Sequence, residues 1–198
     1  MPRTPAQLQQ IRDERRSALI EAARQVFATK GYAGTRMLDI AAKAEASYGL
    51  LYHYFPTKEA VYLELVRTAV QGSVRVSTEA RTRPGDPLER LRWLTDEILQ
   101  GMRDQPELPL VMAQAAAGAE IPAEARAEAA RGARETLTHV TALVAAGQAA
   151  GQLVAGDPQE LAWTYLGLVV GLGVNALVWQ AVPRPTASTE TILRFLQT

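Results

Sequence analysis

The 198-residue chain contains no cysteine, which excludes disulfides, thiolate metal sites and cysteine nucleophiles together. Only two histidines are present, His53 and His139, in separate halves of the sequence. Neither belongs to an HExxH spacing, and no glycine-rich phosphate loop occurs. An enzyme is therefore disfavoured, and no cofactor or metal is expected. Net charge is also absent, with 21 basic residues balancing 21 acidic ones. The first sixteen residues, MPRTPAQLQQIRDERR, carry arginines without an apolar run behind them, so they lack the form of a secretory signal. A soluble, cytoplasmic protein is the expectation, with no membrane partner.

The longest apolar stretch, Leu161 to Val182, is long enough to span a bilayer. It is interrupted by Trp163, Thr164 and Asn175 and bounded by Asp157, Glu160 and Pro183. A helix apolar all round is either buried or membranous, and burial against a partner is the better reading here.

The charge that exists is unevenly placed. Residues 1–70 hold ten Lys/Arg against seven Asp/Glu, while the remainder holds eleven against fourteen. Arg3, Arg12, Arg15 and Arg16 cluster near the start as a candidate phosphate- or minor-groove-binding arm or a solvated tail.

No two-residue alternation persists, whereas helical spacing recurs throughout. The spacing predicts a first helix over Gln10–Thr29, ended by Lys30-Gly31. A second is capped by Thr35 with Leu38, Ile40 and Ala41 inward, and a third is capped by Ser47. Thr57 opens a fourth reaching about Glu79. Arg83-Pro84-Gly85-Asp86-Pro87 breaks the chain and restarts a helix through Met102. Pro106 and Pro109 bracket the next start, Ile121-Pro122 introduces a long helix to about Ala150, and Asp157-Pro158 opens an apolar helix to Ala181. A short helix over Thr189–Leu196 ends the chain. The expectation is an all-α protein. Residues 1–56, with an arm at 1–10, form a three-helix helix-turn-helix domain for DNA. Residues 57–198 form a larger helical bundle, joined through a shared fourth helix.

A helix-turn-helix works because one helix braces the next, leaving the second free to reach base edges. Leu38, Ile40, Ala41, Ala44 and Leu51 can supply the shared interior. Tyr48, Gly49, Leu50, Tyr52, His53 and Tyr54 would then face outward, where hydroxyls and imidazole suit phosphates and base edges. Thr35 and Ser47 stand at helix N-termini, which favour phosphate, and Lys58 would reach the DNA backbone. The competing reading is a packed aromatic cluster, for which Tyr32 and Phe55 are the best candidates.

At these positions the chain resembles the tetracycline-repressor (TetR) family of bacterial transcriptional regulators. The resemblance rests on Phe27-x-x-x-Gly31-Tyr32-x-x-Thr35, on Ile40-Ala41, and on Ser47-x-Gly49-x-Leu51-Tyr52-x-Tyr54-Phe55-x-x-Lys58. It implies a homodimer reading a palindromic operator in double-stranded DNA and, in residues 57–198, a ligand-binding and dimerisation bundle whose bound small molecule releases that DNA. Its DNA contacts, carried over, are Thr35, Ser47, Tyr48, Gly49, Tyr52, His53, Tyr54 and Lys58. One departure is Glu45, where the turn usually has glycine; a glutamate there must adopt a left-handed conformation at some cost. A helical adaptor that has lost DNA binding is the alternative Glu45 would favour.

Beyond residue 70 the resemblance thins. Gly167 and Gly171, with Ala162 and Gly173, would let a neighbouring helix come close, so the last two long helices are the expected dimer surface. Close packing within one subunit is the competing reading. A ligand pocket is expected among Trp93, Ile98, Met102, Leu110, Met112, Gln114, Trp163, Tyr165, Asn175 and Trp179, with His139 a further polar candidate. No carboxylate or lysine stands out there, which points to a largely hydrophobic effector.

Overall fold

The computed structural model describes residues 4–179, 181 and 187–197. They form helices throughout, and the one extended pairing among them is an isolated bridge between Leu153 and Gln197. Arg3 and residues 182–186, including Pro183, lie outside the described residues.

α1 spans Pro5–Gly34. It starts five residues earlier than the apolar spacing predicts, because Thr4 caps it: its hydroxyl accepts from the Gln7 amide and the Gln7 side chain accepts from the Thr4 amide. What the sequence suggests as an arm is therefore helical from Pro5 onward. Near its other end α1 kinks at Gly31, whose φ of 68° only glycine adopts cheaply.

α2 (Met37–Lys43) is preceded by Arg36, not by Thr35. Asp39 accepts the Arg36 amide at 2.8 Å, while the Thr35 hydroxyl turns inward and donates to the Gly31 carbonyl at 2.6 Å. That shift of start places Met37, Ile40 and Ala41 inward and leaves Leu38 64% exposed, reversing the expectation for Leu38. The turn that follows has the amide of Ala46 bonded to the Ala41 carbonyl and that of Glu45 to Ala42. This is a Schellman ending, and it requires Glu45 at φ 50°.

α3 (Tyr48–Tyr54) is capped by Ser47, and α4 (Lys58–Thr82) by Thr57, as the sequence predicts. α5 (Pro87–Asp104) begins with an Asp86–Glu89 capping box, and α6 (Leu108–Ala117) follows Pro106. α7 (Ala123–Ala149), α8 (Pro158–Val178, capped by Asp157) and a short α9 (Thr189–Leu193) complete the chain.

α4 and α7 form the spine. A Cβ placed on Gly132 would lie 2.5 Å from Cγ1 of Val70, so the two backbones touch there. One heptad further along both helices, Ser77 meets Nδ1 of His139 at 3.0 Å, so they run in the same direction. His139 thus has the partners its own helix could not supply. Two apolar cores lie on either side of that polar contact. The first joins Leu19, Phe27, Ile40, Leu51, Phe55 and Tyr62 to Val111 and Ala125. The second joins Leu91, Leu94, Val140, Tyr165, Val169 and Leu193.

Within one chain α8 is only partly covered. It is long and apolar enough to cross a membrane, and only 22% of its most apolar window is buried within the chain. Its outward face carries Trp163, Gly167, Val170 and Val178.

Gly132→Ala should destabilise the fold by about 1–3 kcal/mol, because the branched, buried Val70 has no room to retreat. Urea unfolding followed by circular dichroism measures it. An unchanged midpoint would show that α4 and α7 separate freely.

Candidate nucleic-acid interface

The exposed surface of α3 is built from one face of seven residues. Leu51 and Phe55 point inward and are fully buried, anchoring the rod from behind. Tyr48 and Tyr52, four apart, stand 50% and 39% exposed. Their rings lie 4.5 Å apart and the Tyr48 hydroxyl donates to that of Tyr52 at 3.0 Å. The bond pushes the Tyr52 phenol above its ordinary pKa, so Tyr52 stays a neutral donor and acceptor near pH 7. His53 and Ser47 are exposed, and Gly49 has open space where a side chain would project. Leu50 and Tyr54 are half-buried, with Tyr54 edge-on to His53 at 5.4 Å. The arrangement presents two phenols and an imidazole beside a bare backbone, groups suited to phosphate oxygens and base edges.

Thr35 and Lys58 stand differently from expectation. Thr35 is 2% exposed and its hydroxyl is already spent, so its side chain offers nothing to a duplex. Lys58 donates to the Tyr32 carbonyl at 2.8 Å, with its ammonium 4.3 Å from the centre of the Tyr32 ring. It ties α4 to the end of α1, because a half-buried ammonium is held best by a carbonyl and an aromatic face together.

Other cations are freer. Arg12, Arg15, Arg36 and Lys43 are exposed and have no ion-pair partner among the described residues, whereas Arg16 is held by Glu64 and lies over Phe55. Arg36 and Lys43 flank α2 and were not singled out by the aromatic pattern of α3; their position at the two ends of a short helix was the available signal.

The residues expected to line a ligand pocket are brought together only in part: Trp93, Ile98, Met102 and Tyr165 share the second core, and the others lie elsewhere. Trp163 and Trp179 are 67% and 57% exposed, and Asn175 is exposed as well. Trp93 lies under the Arg83 guanidinium at 4.1 Å, in a concavity with Pro84, Glu89, Arg92 and Asp96 beside the α4–α5 turn. Ile98 and Met102 pack on the second core and Met112 on the first. Tyr165 is buried with its hydroxyl 2.9 Å from Thr95 Oγ1, a structural pairing; burial pushes its phenol up to about 12. Gln114 alone keeps a polar atom, Oε1, buried and without a partner. Apolar composition suggested a lining, but on α8 Trp163, Val170 and Val178 face out of the chain while Tyr165 is buried in the core.

Residues 19–65 match the family described as bacterial regulatory proteins, tetR family. Over those residues, which hold the helix-turn-helix, the chain is similar to that family. Among its relatives, the transcriptional repressor KstR of Rhodococcus jostii is 32% identical over 103 residues, which is 52% of this chain and 47% of KstR. The chain therefore matches about half the length of that relative. Two solved structures share the fold. The MbdR regulator from Azoarcus sp. CIB superposes with a TM-score of 0.77 over 90% of this chain and 92% of its own, at 20% identity. A Saccharomonospora viridis regulator solved in complex with choline does so with 0.69 over 92% and 93%, at 24% identity. The helix-turn-helix head on a helical body is the fold that these structures share with the chain.

Glu45→Gly should stabilise the head by about 1 kcal/mol or less, since glycine removes the left-handed penalty but adds chain entropy. The same change removes a negative charge next to the reading helix, so affinity for DNA should rise. Thermal unfolding and a binding titration at fixed salt would reveal a loss of either, which would mean the glutamate is favoured where it stands.

Proposed function

We propose that the chain is a DNA-binding transcriptional regulator, a homodimeric repressor that leaves a palindromic operator when a small molecule occupies the body. The observation that carries the DNA reading is α3. Its buried Leu51 and Phe55 fix the rod while Tyr48, Tyr52 and His53 stand in solvent with no structural task of their own. Ser47 and the amides of the first turn give the helix N-terminus that suits a phosphate. The unpaired Arg12, Arg15, Arg36 and Lys43 give the same part of the chain its positive charge.

The homodimer reading is supported by the face α8 leaves open. Trp163, Gly167, Val170, Val174 and Val178 follow heptad spacing along the helix, and most are exposed. Gly167 and Gly171 have nothing within 4 Å of a would-be Cβ, so a neighbouring helix could approach their backbones. A continuous apolar stripe of this kind calls for a partner, and a second copy would present the same stripe to it. The effector reading is supported by the likeness to the family and by the choline-bound neighbour. A largely hydrophobic small molecule remains the class proposed. Operator and ligand would each favour a different disposition of the two heads, so each would lower the affinity for the other.

A gel shift against duplexes selected from a random pool should give one palindrome whose binding weakens steeply as salt rises. Tyr48→Ala should change which sequence is selected while leaving nonspecific binding intact. Uniform loss over every sequence would remove Tyr48 from base reading.

Val170→Glu should convert a dimer into monomers by analytical ultracentrifugation and abolish binding to the palindrome. A charge in the middle of an apolar stripe costs its neighbour a desolvated, unpaired carboxylate. A dimer that persists would move the interface off α8.

A further inference from the structure

We infer that Arg24 and Glu107 are the positioning pair that sets the orientation of the DNA-reading head on the helical body; this rests on the DNA-binding reading above. Arg24 belongs to α1 and is 4% exposed. A buried guanidinium survives only where its hydrogen bonds are met, so its partners identify what it holds. One is Glu21, a turn earlier on the same helix. The other is Glu107 at the start of α6, whose Oε2 accepts from Nε of Arg24 at 3.2 Å across 83 residues of sequence. Among the described residues this is the only ion pair joining α1 to the body beyond α4.

Glu107 is presented for that purpose. It occupies the N-cap position of α6 yet makes no side-chain bond to its own helix. Pro106 before it and Pro109 after it restrict the backbone on either side. On the far side, α8 presses on the same turn: a Cβ at Gly173 would lie 2.8 Å from Cγ of Pro109 and 3.0 Å from Cε of Met102. The first turn of α6 is thus clamped between α8 and α1.

α4 and the apolar core shared with α6 and α7 hold the head to the body, but apolar packing is non-directional and leaves rotation about α4 weakly defined. A directional contact off that axis fixes the rotation, and the Arg24 guanidinium supplies it by dividing its donors between Glu21 and Glu107. In a dimer that rotation decides how far apart the two reading helices stand. Half-sites must match that separation, about one helical turn or a multiple of it. The pair therefore governs tolerance of half-site spacing, not recognition of the half-site itself.

The test uses the intact chain and the palindrome it selects from a random-sequence pool, remade with one or two base pairs added or removed between the half-sites. The wild type should lose at least about tenfold in affinity on each change of spacing, within the usual range of coupling between sites. Glu107→Gln keeps an acceptor but loses the charge; it should cut that penalty to roughly twofold while binding a single half-site as the wild type does. Should Glu107→Gln lose its helical circular dichroism, Arg24→Lys carries the same comparison, because lysine keeps the charge but cannot fork between two carboxylates. An unaltered spacing penalty in a folded variant overturns the inference, and so does equal loss on the single half-site, which would make the pair internal to the head. If the wild type selects no palindrome, the DNA-binding reading itself fails and the inference falls with it.

Discussion

Everything at the reading end depends on an aromatic knot behind it. Phe27 of α1, Tyr32 at the kink and Tyr62 of α4 meet with ring centroids 4.8 to 6.1 Å apart, two of the three pairs edge-on. Such pairs add about 0.5–1.5 kcal/mol each beyond the area they bury. Tyr62 is sealed completely, and burial pushes its phenol up to about 12, so it stays neutral in the core. Tyr32 shows its hydroxyl to Glu59 at 2.8 Å and its ring to Lys58. Burial first, then that bond to Glu59, raises the Tyr32 phenol as well. The knot fastens the head to α4 from the side opposite the exposed tyrosines, so the same residue type does structural work behind and presents polar groups in front.

This division explains how much of the molecule could be read in advance. Caps and breakers are local chemistry: Ser47, Thr57 and Asp157 each cap the helix the sequence assigns to them, and the break at Arg83–Pro87 falls where expected. Glu45 is also legible: a residue that closes a Schellman turn must be left-handed whatever its side chain. What failed was competition between neighbours. Thr35 is a good cap in isolation, but the Gly31 carbonyl, freed by the kink, took its hydroxyl, and Asp39 capped Arg36 instead. That single displacement turned Leu38 outward and Met37 inward. Lys58 likewise looked like a phosphate ligand because sequence shows its charge and not the carbonyl of Tyr32 that folds against it.

The body was harder because composition does not say which way an apolar side chain points. Trp163 and Trp179 were as plausible in a pocket as on a surface, and the helix that carries Trp163 turns Tyr165 inward but Trp163, Val170 and Val178 outward. His139 shows the converse. Its own helix offers no partner, yet the parallel run of α4 brings Ser77 and Thr78 to it. Burial and the nearby Arg81 charge lower its pKa, so the ring is neutral near pH 7 and bonds as an uncharged group, with Glu135 opposing the shift. Contacts that depend on a second helix can be placed only once the register between the helices is known.

A division of the chain at residue 56 follows chemistry more closely than packing. The apolar core that supports α3 does not end with the head; it continues through Val61, Leu65 and Val70 of α4 into Val111, Ala115, Ala125 and Ala129 of α6 and α7. The second core begins only past the Ser77–His139 contact. Residues 1–56 taken alone would uncover Phe27, Leu51 and Phe55, each costing about 1.5–3 kcal/mol in lost burial, which is a large share of the stability of any small domain. The head therefore borrows its rigidity from the first halves of α4 and α7. Its orientation is a property of the whole chain, and a change anywhere along that shared core is felt at the tyrosines.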